Sequence, residues 1–503
     1  MSQWTGIIGS FCFRAIYAWS SSAPHNWIGL AVFVAILTFV PRCYYGMEHV
    51  RRQQVILDHL KLEGPRDGGK VEASVCMAQE VQSRKLEDHD DDVVVVAAYR
   101  TALCKARRGG FKDTPAEDML APVLKAVVES TGINPAEIGD IVIGTVLAPG
   151  AQRATDCRIA SFFAGIPETV PLRTVNRQCS SSLQAIADVA AAIKCGFYEI
   201  GIGGGVESMT KDAMGLDRKV NPRTQTCQQA ADCLLPMGVT SENVAARFNV
   251  TREEQDKAAL VSHQRAAAAT AEGRFKDEII PVQTKIVDPT TGDEKPVVIS
   301  VDDGIRPNAA LADLAKLKPV FKKDGTTTAG NSSQITDGAA AVLLMKRGLA
   351  VKRGLPILGV FRSFAAVGVD PAIMGVGPAV AIPAAVKQAG LELSDIDLYE
   401  VNEAFASQFV YCAKVLDLDM EKVNVNGGAM AIGHPLGTTG ARATATLLHE
   451  MKRRGKDCRY GVVSMCIGTG MGAAAVFERG SSVDQYSYAR PISEHNYLSR
   501  DAK

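Results

Sequence analysis

Val93 to Ala98 (VVVVAA) is an unbroken apolar run of strand length, rich in β-branched residues, and it reads as a strand covered on both faces. Such a strand needs helices on either side of its sheet, and the chain supplies them in alternation. Pro115 to Thr131 is amphipathic and stops at Gly132; Asp140 to Gly144 is a second strand; Ser180 to Lys194 is a mostly apolar helix; Ile200 to Gly205 is a third strand. This alternation predicts an α/β fold. It also repeats: aligning Asp397 on Asp140 gives an offset of 257 residues, and Gly390 on Gly132 one of 258. At that offset the helix Pro378 to Gly390 answers the first helix, and the strand Gly461 to Met465 answers Ile200 to Gly205. Two similar halves are expected. Thr210 to Lys323 breaks the pattern with polar helices and loops and reads as an insertion in the first half.

Composition narrows the class. In 503 residues, 47% are hydrophobic and 22% charged, near the globular averages of about 45–50% and 25%, which argues against disordered, collagenous and polytopic membrane proteins. Lys and Arg together number 55 and Asp and Glu 55, so there is no net basic field to attract nucleic acid. Twelve cysteines without a C-x-x-C pair or regular spacing point to a reducing compartment and to no metal site.

The beginning of the chain is of a different kind. Trp27 to Val40 is an uncharged apolar run of 14 residues, short of the about 20 that a membrane-spanning helix needs. Residues 1–46 read as an extension upstream of Met47. The segment RQQVILDHL follows, in which Arg52, Val55, Ile56 and His59 fall on one helical stripe. It is similar to the N-terminal type of peroxisomal targeting signal, which implies a peroxisomal location and an import receptor that reads Arg52, Gln53, His59 and Leu60. Glu63 to Asp92 is a polar linker that ends in an acidic run.

Four residues carry candidate chemistry. Cys179 opens the apolar helix, where the positive helix end and free N–H groups should lower its pKa and favour a nucleophilic thiolate, although an unpaired cysteine is more commonly a buried structural residue. His434 lies in the glycine-rich segment Asn426 to Gly437, with Pro435 expected at the first position of a helix. Cys466 follows the strand Gly461 to Met465 and begins CIGTGMG, a turn that exposes a thiol and N–H groups. No dinucleotide loop is read there, because Ala473 to Phe477 continues as a strand and not as a helix. Asn402 follows a strand end, where α/β proteins place ligands.

The set NRQCSSSLQA, TTTAGNSSQITDGAA, VNEAFAS, GGAMAIGHPLGTTGAR and CIGTGMGAAAVFE resembles the thiolases, and among them the plant-type peroxisomal 3-ketoacyl-CoA thiolases. The resemblance covers Asp92 to about Gly480. It implies a five-layered αβαβα fold of two similar halves with an inserted loop domain: 92–345 with the insertion at about 210–323, then 350–480. An extension (1–46), a targeting presequence with linker (47–91, clipped near Cys76) and a polar tail (481–503) complete the chain. By resemblance, Cys179 accepts the acyl group with help from His434. Cys466 is the second acid/base, protonating the departing acetyl-CoA enolate and deprotonating incoming CoA. Asn402 and His434 bind one oxyanion, and the N–H groups of Cys179 and Gly468 bind the other. Ser333 touches the pantetheine arm, Ala404 and Phe405 wall its tunnel, and Gly427, Gly428 and Gly433 let the loops approach. CoA and 3-ketoacyl-CoA are substrates, no cofactor is implied, and a homodimer is expected. Ser182 stands where the family usually has Gly, and its hydroxymethyl group is expected to crowd the helix.

The expected activity is thiolytic cleavage of 3-ketoacyl-CoA to acetyl-CoA and a shortened acyl-CoA. Two alternatives are an acetoacetyl-CoA thiolase working in the condensing direction, and a catalytically weakened interaction protein. Leu183 to Ile193 should be buried on most faces, and Leu172 to Asn176 should form an edge strand that pairs with a twofold mate.

Overall fold

The computed structural model describes residues 88–212 and 220–485. The targeting nonapeptide with Arg52, Gln53, His59 and Leu60, the apolar run Trp27 to Val40 and most of the C-terminal tail lie outside the described residues.

The apolar run at Val93 forms β1 (Val93–Arg100), buried along its whole length. The short β2 (Cys104–Lys105) follows, then α1 (Ala116–Thr131), β3 (Asp140–Gly144), α2 (Gln152–Phe163), β4 (Leu172–Val175), α3 (Ser181–Lys194) and β5 (Ile200–Ser208). Between β5 and β8 (Thr336–Lys346) lie α4 (Met237–Arg247), α5 (Arg252–Ala271) and the hairpin β6 (Val282–Val287) with β7 (Glu294–Ile299). The second half has β9 (Gly359–Gly368), α6 (Gly377–Gln388), β10 (Leu398–Val401), α7 (Ala406–Val415), α8 (Thr439–Arg454), β11 (Tyr460–Ile467) and β12 (Met471–Arg479).

Strand order runs β4-β3-β5-β8-β1 in the first half and β10-β11-β12-β9 in the second. Four strands of each half match in order, β3 with β10, β5 with β11, β8 with β12 and β1 with β9, and β4 is an additional strand of the first half. β3–β5 and β10–β11 are parallel, while β5–β8 and β11–β12, and β8–β1 and β12–β9, are antiparallel. α1 and α6 both end on a left-handed glycine, Gly132 at φ 63° and Gly390 at φ 69°, and a short 3-10 turn then precedes β3 and β10 alike. The halves meet where β1 bonds β9 at Val94 with Val360 and Val95 with Gly359, which makes the ladder continuous.

Five layers result. α1 covers β1 and β8 from outside, and α6 covers β9, β11 and β12 from outside. Between the half-sheets lie α3, on β3 and β5, and α8, on β1 and β11, packed against each other. Leu183, Ala185, Ile186, Val189, Ala190 and Ile193 of α3 are buried, as the small apolar sequence predicts. β4 is an edge strand, also as predicted. The segment between β5 and β8 is tied to the core by the buried Arg100, whose guanidinium pairs with Glu278 at 2.6 Å and Asp302 at 2.8 Å.

Three local expectations change. β5 continues through Glu207 and Ser208, past the glycines. β11 runs on to Ile467, so Cys466 lies inside the strand and not after it. Pro435 caps a 3-10 turn at Leu436–Thr438, and α8 itself starts at Thr439.

Candidate active site

Cys179 sits in the 3-10 turn Gln178–Ser180 that leads into α3, and this turn packs against both β11 and the 436–438 turn. The two halves thus bring the sequence-separated Cys179, His434 and Cys466 segments together. Gln178 holds φ 46°, and Thr469 in the β11–β12 turn holds φ 65°, both left-handed without being glycine. Such backbone is costly and persists where its surroundings enforce it. Here Gln178 Nε2 donates to Thr469 Oγ1 at 3.1 Å, and Gln178 N–H donates to Asn176 Oδ1 at 2.9 Å, which locks one strained turn to the other. A Cβ at position 468 would meet Gln178 Oε1 and would displace the end of that side chain.

The N–H groups of Gly468 and of Cys179 itself lie near enough to the Cys179 sulfur to favour its thiolate. Burial nevertheless dominates and pushes the thiol up to about 11, with the two N–H groups pulling it down by less. The expected low-pKa thiolate is therefore corrected: the resting group is a thiol that needs a base. Cys466 is fully buried, not exposed as expected, and burial followed by the nearby Cys179 raises its pKa well above the ordinary value. Its S–H points to Gln408 Oε1 at 3.8 Å.

His434 lies buried on the adjoining turn. Burial, and after it the charge of Arg442, pushes its pKa down to about 3, so the imidazole is neutral at physiological pH. Nε2 lies 3.4 Å from Asn402 Nδ2, and Nδ1 lies 2.6 Å from Thr439 Oγ1. With the Asn402 amide donating, Nε2 is the bare nitrogen and Nδ1–H donates to Thr439, a tautomer assigned from these partners. Asn402 is fixed at the end of β10 by its N–H to Ser464 O at 2.9 Å, and its Oδ1 is buried without a protein partner. Gly433 stands at φ 120° directly before the histidine, where a side chain would be strained and would meet Thr336.

The expected wall residues lie beside Cys466. Ala404 and Met374 pack with it, and Phe405 and Met237 pack against this cluster. The Ser333 N–H donates to Ala404 O at 3.0 Å, which sets Ser333 next to the same wall. Ser182 is buried in the first turn of α3. Its Oγ accepts the Ala441 N–H at 2.9 Å, capping from α3 a first-turn donor of α8 that has no side-chain cap of its own. Sequence reasoning did not single out Thr439, Gln178, Gln408 or Glu207. Thr439 and Gln178 stood in the quoted motifs, whereas Glu207 had only the signal of a carboxylate ending an apolar strand.

Among the described residues nine cysteines are free thiols and no cluster of His, Cys, Asp and Glu could hold a metal ion.

Comparison with known proteins agrees with this architecture. Residues 93–348 match the family model for the thiolase N-terminal domain, and residues 355–479 that for the thiolase C-terminal domain. A relative from Petunia hybrida, 3-ketoacyl CoA thiolase 1, peroxisomal, is 69% identical over 90% of this chain and 99% of its own. The crystal structure of the dimeric peroxisomal thiolase of Saccharomyces cerevisiae superposes with a TM-score of 0.73 at 45% identity, covering 79% of this chain and 100% of that one. Human mitochondrial 3-ketoacyl-CoA thiolase in complex with CoA superposes with a TM-score of 0.68 at 39% identity, covering 77% and 98%. With the family's two domains matched in succession and its two-half fold reproduced, the chain belongs to the thiolases.

Proposed function

We propose that this protein is a peroxisomal 3-ketoacyl-CoA thiolase, an acyltransferase of fatty acid β-oxidation that works through an acyl-Cys179 intermediate. The observation that carries the mechanism is the pairing of a buried thiol, Cys179, with a buried neutral imidazole, His434, on turns that pack together. As the Cys179 sulfur attacks the 3-keto carbon, its proton passes to His434 Nε2, and the oxyanion is held by the N–H groups of Cys179 and Gly468. Collapse breaks the bond between C2 and C3. Acetyl-CoA leaves as its enolate, with Asn402 and His434 stabilising the thioester oxygen, and Cys466 S–H protonates the enolate carbon. The Cys466 thiolate then takes the proton of incoming CoA, whose sulfur attacks acyl-Cys179 to release the shortened acyl-CoA, while the proton held on His434 Nε2 returns to the departing sulfur and restores the Cys179 thiol. Both half-reactions exchange thioesters, so CoA is a substrate and no cofactor is invoked.

Ser333, Ala404 and Phe405 border the pantetheine arm in this reading. A homodimer formed along the β4 edge, and delivery by an import receptor reading Arg52, Gln53, His59 and Leu60, belong to the same proposal. The testing experiment is CoA-dependent loss of acetoacetyl-CoA with protein starting at about Met77. Turnover is expected, and none in Cys179→Ala; full turnover in that variant would refute the mechanism. The same assay with longer 3-ketoacyl-CoA reads chain-length preference.

A further inference from the structure

Glu207 is the penultimate residue of β5, with its side chain fully inside the core, and the mechanism above does not use it. Its carboxylate gathers four donors. Oε2 accepts the N–H groups of Val146 and Gly437, each at 2.9 Å, and Oε1 accepts Leu147 N–H at 3.2 Å and Thr145 Oγ1 at 3.3 Å. Thr145 to Leu147 belong to the first half, whereas Gly437 belongs to the second and lies three residues after His434. The carboxylate therefore joins the halves at the edge of the active site. The same loop is held on the other side of His434 by a second buried carboxylate, Glu403, which accepts Met430 N–H at 3.1 Å and the Ser262 hydroxyl at 2.6 Å. Between these anchors the His434 N–H donates to Gln334 O at 3.0 Å.

We propose that Glu207 is a positioning residue for thiolysis, fixing the His434 turn against the Cys179 turn by accepting donors from both halves. The inference rests on the functional reading above. Three N–H groups and a hydroxyl meet this side chain, and they favour the acceptor-only ionised carboxylate against burial, which pushes the carboxyl up to about 7. A glutamine of the same shape would turn its NH₂ toward donors. Glu207 forms no ion pair among the described residues, and Arg153, already paired with Asp212, acts on it only at longer range. Among the described residues these four donors are its hydrogen-bond partners. The turn it holds continues into Thr439, whose hydroxyl fixes His434 Nδ1, so a displaced Gly437 shifts the base relative to the sulfur.

The experiment compares Glu207→Gln and Glu207→Asp with wild type in steady-state thiolysis, with circular dichroism as the check on folding. Positioning predicts that Glu207→Gln lowers kcat roughly tenfold or more, within the ~10²-fold that a 1 Å misplacement can cost, with KM within about twofold. It also predicts that Glu207→Asp, shorter but still acceptor-only, keeps more kcat than Glu207→Gln. A space-filling role predicts the reverse order. That order, or unchanged kcat in folded Glu207→Gln, overturns the proposal. If the Glu207 variants do not fold, Thr145→Val removes one donor and keeps the shape: kcat lowered severalfold at constant KM supports the proposal, and unchanged kcat overturns it. A wild-type protein without thiolysis would instead overturn the functional reading, and this one with it.

Discussion

The Cys179 thiol shows which local effect wins. A helix N-terminus contributes at most about 2 kcal/mol to a charge near it, or roughly 1.5 pKa units. Burial here exceeds that and leaves the thiol at about 11. In the proposed mechanism the Cys179 thiol therefore depends on His434, and His434→Ala should lower kcat by roughly a hundredfold or more with a smaller change in KM, measured by steady-state thiolysis. An unchanged rate would make the histidine structural. Residue types and their motifs were legible in the sequence, because sulfur nucleophile, base and glycine-rich turns occur as local patterns. Protonation states were not, since they depend on desolvation by groups hundreds of residues away. Ser182 is another case: its crowding was expected from the helix alone, and its hydrogen bond to Ala441 comes from a helix 259 residues further on. Ser182→Ala should leave that buried N–H unpaired and cost about 1–3 kcal/mol, seen as a lower melting temperature. A melting temperature equal to or above wild type would restore the crowding reading.

Among the elements, α3 and α8 matter most, since one begins just after the Cys179 turn and the other just after the His434 turn, and the two pack against each other. Gly440 faces the Leu183 backbone, and a Cβ there would overlap it. Gly440→Ala should force the helices apart, cost about 1–3 kcal/mol or more by overpacking, and lower kcat together with stability, because both turns move with their helices. Thermal melting and thiolysis of the same preparation check this; an unchanged melting temperature would mean that the crossing is loose. Helices and strands were legible from period and punctuation, with Gly132 and Gly390 stopping their helices as read. Ends were less so. The glycines of β5 and the Cys466 position hide strands that the ladder continues through Glu207 and Ile467, because pairing with β8 and β12 overrides local propensity.

On the scale of the whole molecule, the near-constant offset foretold two like halves, and the matched strand orders bear it out. The β1–β9 bonds that join them were not legible, because pairing between halves leaves no local pattern. Stability should also depend on acid. Burial, helped by Arg306 and Lys105, lowers the pKa of His263 from 6.5 to about 4, while its Nδ1 accepts the Arg306 N–H. A depressed histidine gives stability that is present above pH 6.5 and lost as pH falls toward about 4. The loss is about 2 kcal/mol by pH ~5, so His263→Gln should flatten the fall in melting temperature between pH 7 and ~5; an identical slope would contradict it. Light scattering should give at least twice the monomer mass if β4 pairs with a mate, and an active monomer would sever assembly from activity. The central claim is that the fold joins its halves so that Cys179, and not Cys466, carries the acyl group. Peptide mass spectrometry after brief mixing with acetyl-CoA tests it most directly. The account predicts an acetyl group on the Cys179 peptide, absent in Cys179→Ala; an acetyl group on Cys466, or on neither thiol in protein that turns over, would contradict it.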